Sequence, residues 1–368
     1  MSKSKQNAIL GCLLGTAVGD SVGLPFEGLP RHRIVQVLKD RPLEQQLFLR
    51  RGMLSDDTEH TLMVAHRLQN VSDNPEAFGR KLAWSLRWWI LGLPAGVGLS
   101  TARSIIRLWF GVCPSRSGVR SAGNGAAMRS AIFGVFFCDY EGPRSEFTRQ
   151  SCLITHSDPR ALEAADMAST AASEACRGSS NERIIEVLRS RVVSQEMTTR
   201  FEVIVDYLAR SRSVQSLAEA LGDGRKVSGF APDTVSVALY AWLRHRGDFR
   251  KIITACVECG GDTDTVAAIA GGVAGAECGE KGIPAQWIER LSDWPRTVNH
   301  IRRVAAALVE PQISAPKLFW PWVLLRNVIF LLIVVGHGLA RLTPFPLRLR
   351  VTGNEQGRSK RERINGGS

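Results

Sequence analysis

Gly260-Gly261-Asp262-Thr263-Asp264-Thr265-Val266-Ala267-Ala268-Ile269-Ala270-Gly271-Gly272-Val273-Ala274-Gly275-Ala276-Glu277 is the stretch on which the reading of this chain turns. A helix with Gly271 and Gly272 at its centre costs about 1 kcal/mol per glycine relative to alanine, so it makes a poor surface helix. It makes sense if buried. Small side chains would let neighbouring helices approach its backbone closely, leaving its N-terminus, with Asp262 and Asp264, fixed in the protein centre.

Outward from that run the periodicity is helical nearly throughout. Leu82, Leu86, Trp89 and Leu93 recur at helical spacing, as do Ile184 with Leu188, Phe201 with Ile204 and Leu208, and Val214 with Leu217 and Leu221. Sustained period-two alternation bounded by turn residues is scarce, so the expected fold is all-α, a compact multi-helix domain. No internal repeat is visible, and no GxxxxGK[ST] or GxGxxG follows a strand pattern, which argues against kinases and dinucleotide enzymes.

The 368 residues can bury a sizeable core, and 44% hydrophobic with 22% charged residues is ordinary globular composition. Of the net charge of +12, residues 341–368 alone supply +5, with seven Arg or Lys against two Glu. The body shows no stripe of Lys and Arg interleaved with aromatics, so nucleic acid is not the expected partner. Eight cysteines are scattered through a chain whose first residues, MSKSKQNAIL, lack a secretory apolar region. Reduced thiols in a cytoplasmic protein are the expectation. Cys256-Val-Glu-Cys259 has no second pair to complete a zinc site and reads as two small buried residues on a helix.

After about residue 312 the character changes. We expect a catalytic domain over 1–312 and an extension over 313–368, made of a hydrophobic helix and a basic disordered tail. Trp320–Leu342 is long enough to cross a hydrocarbon layer, with Trp320 and Trp322 at one end and Arg341, Arg348 and Arg350 past the other. Arg326, Asn327 and His337 lie inside that span and favour an interfacial or core-docked helix instead. Both readings, membrane association through 320–342 and docking on the body, stand at this point.

Two acidic clusters carry the chemistry. Ser55-Asp56-Asp57-Thr58 precedes an apolar-periodic run, and Asp262-Thr263-Asp264-Thr265 opens the buried helix. Capping a helix needs one such residue. Adjacent carboxylates flanked by hydroxyls exceed that need and are the hard oxygen ligands that Mg²⁺ or Mn²⁺ prefers. Bringing four carboxylates together without a cation would raise their pKa values by mutual repulsion, and a binuclear metal site would relieve that cost.

Three further stretches complete a pattern. GDSVGLPFE (19–27), SDDT (55–58), GNGAAMR (123–129), THSDPRA (155–161) and GGDTDTVAAIAG (260–271), in that order, resemble the ADP-ribosylglycohydrolase family, of the dinitrogenase reductase-activating glycohydrolase kind. The resemblance implies an all-α fold, a pair of Mg²⁺ ions, and cleavage of the glycosidic bond joining ADP-ribose to a protein side chain or related small-molecule acceptor. It places Ser55, Asp56, Asp57, Asp262, Asp264 and Thr265 at metal-ligand positions. Glu27 matches the acid that gates or assists the site, and the water-activating carboxylate falls among Asp56, Asp57 and Asp264. Asn124, Gly125 and Ala126 match the loop beside the substrate phosphates or distal ribose, and His156 the histidine lining the same site. Blander readings stand beside these: Glu27 as a solvated loop acid, His156 as a satisfied core histidine, Asp20 as a brace, Gly123-Asn124-Gly125 as a turn. Where many members carry Asp-x-Gly-Asn-Thr-Thr, this chain reads Gly96-Val97-Gly98-Leu99-Ser100-Thr101, which weakens the expectation of an arginine-linked substrate. The rival functions are a non-catalytic ADP-ribose-binding or structural relative and a two-metal phosphohydrolase.

Overall fold

The computed structural model describes residues 3–39, 41–69, 72–222, 226–310 and 312–342. Seventeen α-helices run through them: α1 (Lys3–Gly23), α2 (Arg31–Leu38), α3 (Asp56–Leu68), α4 (Pro75–Leu91), α5 (Leu99–Trp109), α6 (Ala131–Phe136), α7 (Glu141–Thr155), α8 (Pro159–Arg177), α9 (Asn181–Arg189), α10 (Gln195–Ala209), α11 (Val214–Leu221), α12 (Ala231–Arg244), α13 (Phe249–Glu258), α14 (Thr263–Gly282), α15 (Ala285–Glu289), α16 (Val298–Val309) and α17 (Trp320–Leu342). Only isolated β-bridges occur among the described residues, so the fold is all-α as the periodicity indicates. The basic stretch beyond Leu342 lies outside the described residues.

The Ala/Gly-rich run forms α14, and every residue from Thr263 to Ala276 in it is buried. Its principal partner is α1, which runs antiparallel to it at backbone contact. A Cβ added to Gly11, Gly15 or Gly19 would stand 2.0–2.1 Å from the carbonyl oxygens of Gly275, Gly271 and Ala267. Two helices can approach that closely only where neither carries a side chain at the crossing, so glycine every fourth residue of α1 faces small residues of α14. The C-terminal end of α1, with Asp20, is thereby set against the N-terminal end of α14, with Asp264. Around this pair pack α8, α12 and α13, which contribute Ala164, Ala168, Val235, Leu239 and Ile253 to one continuous core.

The other sequence patterns fall where helical spacing puts them. Leu82, Leu86 and Trp89 are buried on α4, while Leu93 lies past its end in an exposed turn with φ of 54°. Cys256 and Cys259 are buried at the end of α13, and all eight cysteines are free. Burial pushes the Cys259 thiol up to about 12, which keeps it protonated and inert.

Helix α17 is docked on the body, and the residues that weighed against a membrane span are the ones that dock it. Arg326 is buried against Asp293 and Glu59, Asn327 donates to the Gly92 carbonyl at 2.8 Å, and Phe330 packs with Leu24, Leu47 and Met53. His337 Nε2 sits 3.3 Å from the Pro25 carbonyl.

Candidate active site

Two helix N-termini meet at the site. At α3, Ser55 is the N-cap, and its Oγ accepts from the Asp57 amide at 3.2 Å. Asp20 of α1 adds a second cap: its carboxylate accepts the Ser55 amide at 2.9 Å, the Thr58 amide at 3.3 Å and the Thr58 hydroxyl. Asp20 thus braces the first turn of α3, and Asp56 and Asp57 are surplus to capping. At α14, Asp262 occupies the N-cap position without making a side-chain cap bond. Its Oδ2 instead accepts from Asn124 Nδ2 at 2.6 Å. The turn that delivers Asp262 needs the two glycines before it: Gly260 and Gly261 have φ of 75° and 86°, and a Cβ on Gly261 would collide with Val227.

The clusters join directly. Thr265 Oγ1 donates to Asp57 Oδ2 at 3.2 Å, and Ser55 Oγ lies 3.1 Å from the same oxygen. The Glu27–Gly28 loop is held to the same turn by the Gly28 amide, which donates to the Gly261 carbonyl at 2.7 Å. Glu27 is solvent-exposed, yet its charge helps to push up both Asp56 and Asp264. The expected residues Ser55, Asp56, Asp57, Asp262, Asp264, Thr265 and Glu27 therefore share one neighbourhood.

Its electrostatics are those of a site wanting positive charge. Burial, then the charges of Asp56, Asp20 and Asp262, hold the Asp57 carboxyl well above the usual range. Asp264 is raised in the same way by burial and then by Glu27, Asp262 and Asp57. Asp56 is raised by burial and then by Asp20 and Glu59. Burial brings Asp20 up to about 6 despite its hydrogen bonds. Among the described residues none of Asp20, Asp56, Asp57, Asp262 and Asp264 forms an ion pair with Lys or Arg. Asp57 Oδ1 and Asp264 Oδ1 are buried with no hydrogen-bond partner. Unpaired buried carboxylate oxygens are costly and rare, and each asks for a missing partner. The side chains are not already closed into a cage: no group of three His, Cys, Asp or Glu among the described residues is arranged to hold an ion.

The Gly123–Ala126 turn and His156 form a second wall. The Asn124 amide donates to the Gly229 carbonyl at 3.0 Å, and its side chain spans Thr234 and Asp262. The His156 ring lies flush against the turn, since a Cβ on Gly125 would be 3.0 Å from its Cε1. Its Nδ1 is 2.9 Å from Thr155 Oγ1. Ala126 is fully buried, backbone and side chain alike, so its place in the turn is behind Asn124 and Gly125. The substituted stretch Gly96–Thr101 leads into α5, whose Thr101 is buried with its hydroxyl beside the Gly125 turn. That stretch therefore still reaches the site.

Burial and then the Arg129 charge bring His156 down to about 3. A histidine with a depressed pKa contributes stability that is complete above its unfolded value of about 6.5 and is lost as the pH falls through that value towards 3. Between pH 7.5 and pH 5 the His156 imidazole should therefore show no titration by NMR; a midpoint near 6.5 would place it in water and remove it from this wall.

Several supporting residues give no sequence signal of their own. Arg129, within GNGAAMR, is fully buried and holds the Gly125 carbonyl at 2.6 Å, the Ser151 carbonyl at 2.9 Å and the Thr155 hydroxyl at 2.7 Å. It stays a cation behind the turn, although burial lowers it to about 10. Glu59, one turn into α3, is paired at 3.0 Å with both Arg296 and Arg326. Asp293 accepts from the Leu54 amide at 2.9 Å as well as from Arg326, so α17 helps to fix the segment leading into Ser55. A surface cavity of about 890 Å³, lined by Ser72, Asp73, Phe136 and Tyr140, contains none of these groups.

Fold and site together define an all-helical protein in which two acid-rich helix N-termini share one buried neighbourhood. The ADP-ribosylglycohydrolase family model matches residues 1–316, and the chain belongs to that family. It is 28% identical to ADP-ribosylarginine hydrolase Tri1 of Pseudomonas putida, over 83% of this chain and 79% of that one. It is 26% identical to the ADP-ribosyl-[dinitrogen reductase] glycohydrolase of Rhodospirillum rubrum, over 83% and 97%. Among solved structures, an ADP-ribosylglycohydrolase-related protein complex superposes with a TM-score of 0.62 at 27% identity, covering 85% of this chain and all of that one.

Proposed function

We propose that this protein hydrolyses the glycosidic bond joining ADP-ribose to a protein side chain or related acceptor, with divalent cations, two Mg²⁺ or their Mn²⁺ equivalents, held between the N-termini of α3 and α14. The observation that carries the reading is the meeting of two carboxylate clusters that have neither ion-pair partners nor full hydrogen bonding, at Asp57 Oδ1 and Asp264 Oδ1. Hard oxygen donors of this kind fit Mg²⁺ or Mn²⁺, and Ser55, Asp56, Asp57, Asp262, Asp264 and Thr265 are the residues that would hold them. Rotation of side chains on fixed helix ends would complete the cage. When bound, such ions supply the charge that orients vicinal ribose hydroxyls and lowers the pKa of water.

The chain's own groups do the rest. The Thr265 and Ser55 hydroxyls hold Asp57 Oδ2 in place and leave its Oδ1 free for a ligand. Asn124 fixes the Asp262 carboxylate, which ties the Gly123–Ala126 loop to the acid cluster. A carboxylate among Asp56, Asp57 and Asp264 takes the proton of the attacking water while the bond from the anomeric carbon to the acceptor breaks and positive charge develops on the sugar. The acceptor leaves with a proton, and Glu27 at the exposed edge is placed to assist. The neutral His156 ring packs against Gly123 and Gly125, shaping the turn whose backbone faces the ADP portion.

Incubating the full chain with arginine-, serine- and acetyl-ester-linked ADP-ribose, with Mg²⁺ or with chelator, tests this. Free ADP-ribose should form from at least one substrate and only with the metal. Phosphate or nucleoside monophosphate as the product would instead make the protein a phosphohydrolase, and binding without turnover a non-catalytic relative.

A further inference from the structure

Helix α17 has two faces. Val323, Arg326, Asn327 and Phe330 are buried against the body, while Leu325, Val328, Ile329, Leu332, Val335 and Leu339 on the opposite side are exposed, Leu332 at 68%. A helix at the surface of a soluble domain turns polar residues outward; here the outward stripe is apolar at every step. The stripe is continuous with an aromatic patch. Of the nine tryptophans, six are exposed: Trp84 and Trp88 on α4, Trp109 on α5, and Trp294, Trp320 and Trp322. They meet in three pairs, which share α4 (Trp84 and Trp88) and the start of α17 (Trp320 and Trp322). The Trp320 indole donates to the Trp88 carbonyl, Trp294 and Trp322 stack at 5.0 Å, and Trp84 meets Trp109 at 6.5 Å with the Arg87 guanidinium over its ring.

We infer that the outer face of α17, with the tryptophan patch of α4 and α5, is a docking surface for an anionic lipid bilayer on which the protein lies without spanning it. A span is ruled out by the inner face, because Arg326 and Asn327 are spent on Asp293, Glu59 and Gly92. Tryptophan rings that are apolar in body and polar at one edge suit the headgroup boundary, as does a helix lying in its plane. Charge selects the partner. Residues 343–368, which continue from α17, carry six Arg or Lys against two Glu, and basic segments next to an apolar anchor are attracted to anionic lipid.

Co-sedimentation of the full chain with vesicles of phosphatidylcholine plus phosphatidylserine, and with phosphatidylcholine alone, tests the inference. The protein should pellet with the anionic vesicles, bind the neutral ones about tenfold more weakly or less, and be released by high salt. The pair Ile329→Glu and Leu332→Glu, both on the exposed stripe, should cut binding at least about tenfold while the circular dichroism and melting curve stay those of the parent. Binding unaffected by those substitutions would overturn the inference. So would failure of the parent chain to bind anionic vesicles, or a parent dimer that the same pair converts to monomer.

Discussion

An Asp264→Asn variant is expected to lose ADP-ribose release by roughly 10²–10⁴-fold, the range for removal of a group acting on proton transfer at the reacting centre. The loss should come with a gain. Asp264 is buried among Glu27, Asp262, Asp57 and Asp20, and its Oδ1 is unpartnered, so the carboxylate is a cost to the metal-free fold. Asn keeps the shape and removes the charge. The metal-free variant should therefore be more stable than its parent by on the order of 1 kcal/mol, as is usual when a strained functional group is neutralised. Parent and variant should then part on adding Mg²⁺, because a ligand that binds only the folded state stabilises it by about 2.7 kcal/mol at a hundred times its dissociation constant. The parent's melting temperature should rise, and the variant's should move little. Retained turnover in Asp264→Asn would remove this residue from the mechanism.

The largest effect on folding is expected at the contact between α1 and α14. In Gly15→Val the new Cβ would fall 2.1 Å from the Gly271 carbonyl oxygen. Two rigid backbones, not a flexible side-chain end, would have to give way. Overpacking of an ordinary core costs about 1–3 kcal/mol. Here the helices must separate along their length, so a loss of at least about 4 kcal/mol, or failure to fold, is the expected outcome. The melting temperature of any folded fraction should drop by roughly 10 °C. Gly142, in the exposed first turn of α7, has nothing within 4 Å of an added Cβ. Gly142→Ala should accordingly be neutral or slightly stabilising, within about 0.5 kcal/mol. Equal melting curves for the two variants would mean that α1 and α14 are not in backbone contact.

That contact shows how far the fold could be read from the chain. The Ala/Gly composition of 263–277 marks a buried helix without a structure, because only close neighbours justify two mid-helix glycines. Its partner is marked too, by Gly11, Gly15, Gly19 and Gly23 at four-residue spacing, but small residues declare close approach without naming what approaches. Only the matching spacing of Thr263, Ala267, Gly271 and Gly275 in the folded protein identifies α14 as that partner. The acid clusters are legible for a related reason: Ser55 and Asp20 already cap α3, and Asp56 and Asp57 exceed what a helix end consumes. The second layer is not legible. Arg129, Glu59, Asp293, Arg296 and Arg326 are ordinary charged residues in sequence, and only tertiary packing reveals that they are buried and paired. Arg326 illustrates the limit. In a list of hydrophobicities it interrupts an apolar span, whereas in the fold it is the peg that attaches α17 beside the first acid cluster.

Everything about the proposed chemistry rests on Asp57 and Asp264 answering to the same ligand, a divalent ion. Titrating Mg²⁺ into the full chain in a calorimeter, beside Asp57→Asn and Asp264→Asn, reads this directly. Saturable binding by the parent that weakens together in both variants is the predicted result. Heat of dilution alone from the folded parent, or binding that survives either substitution unchanged, would contradict it.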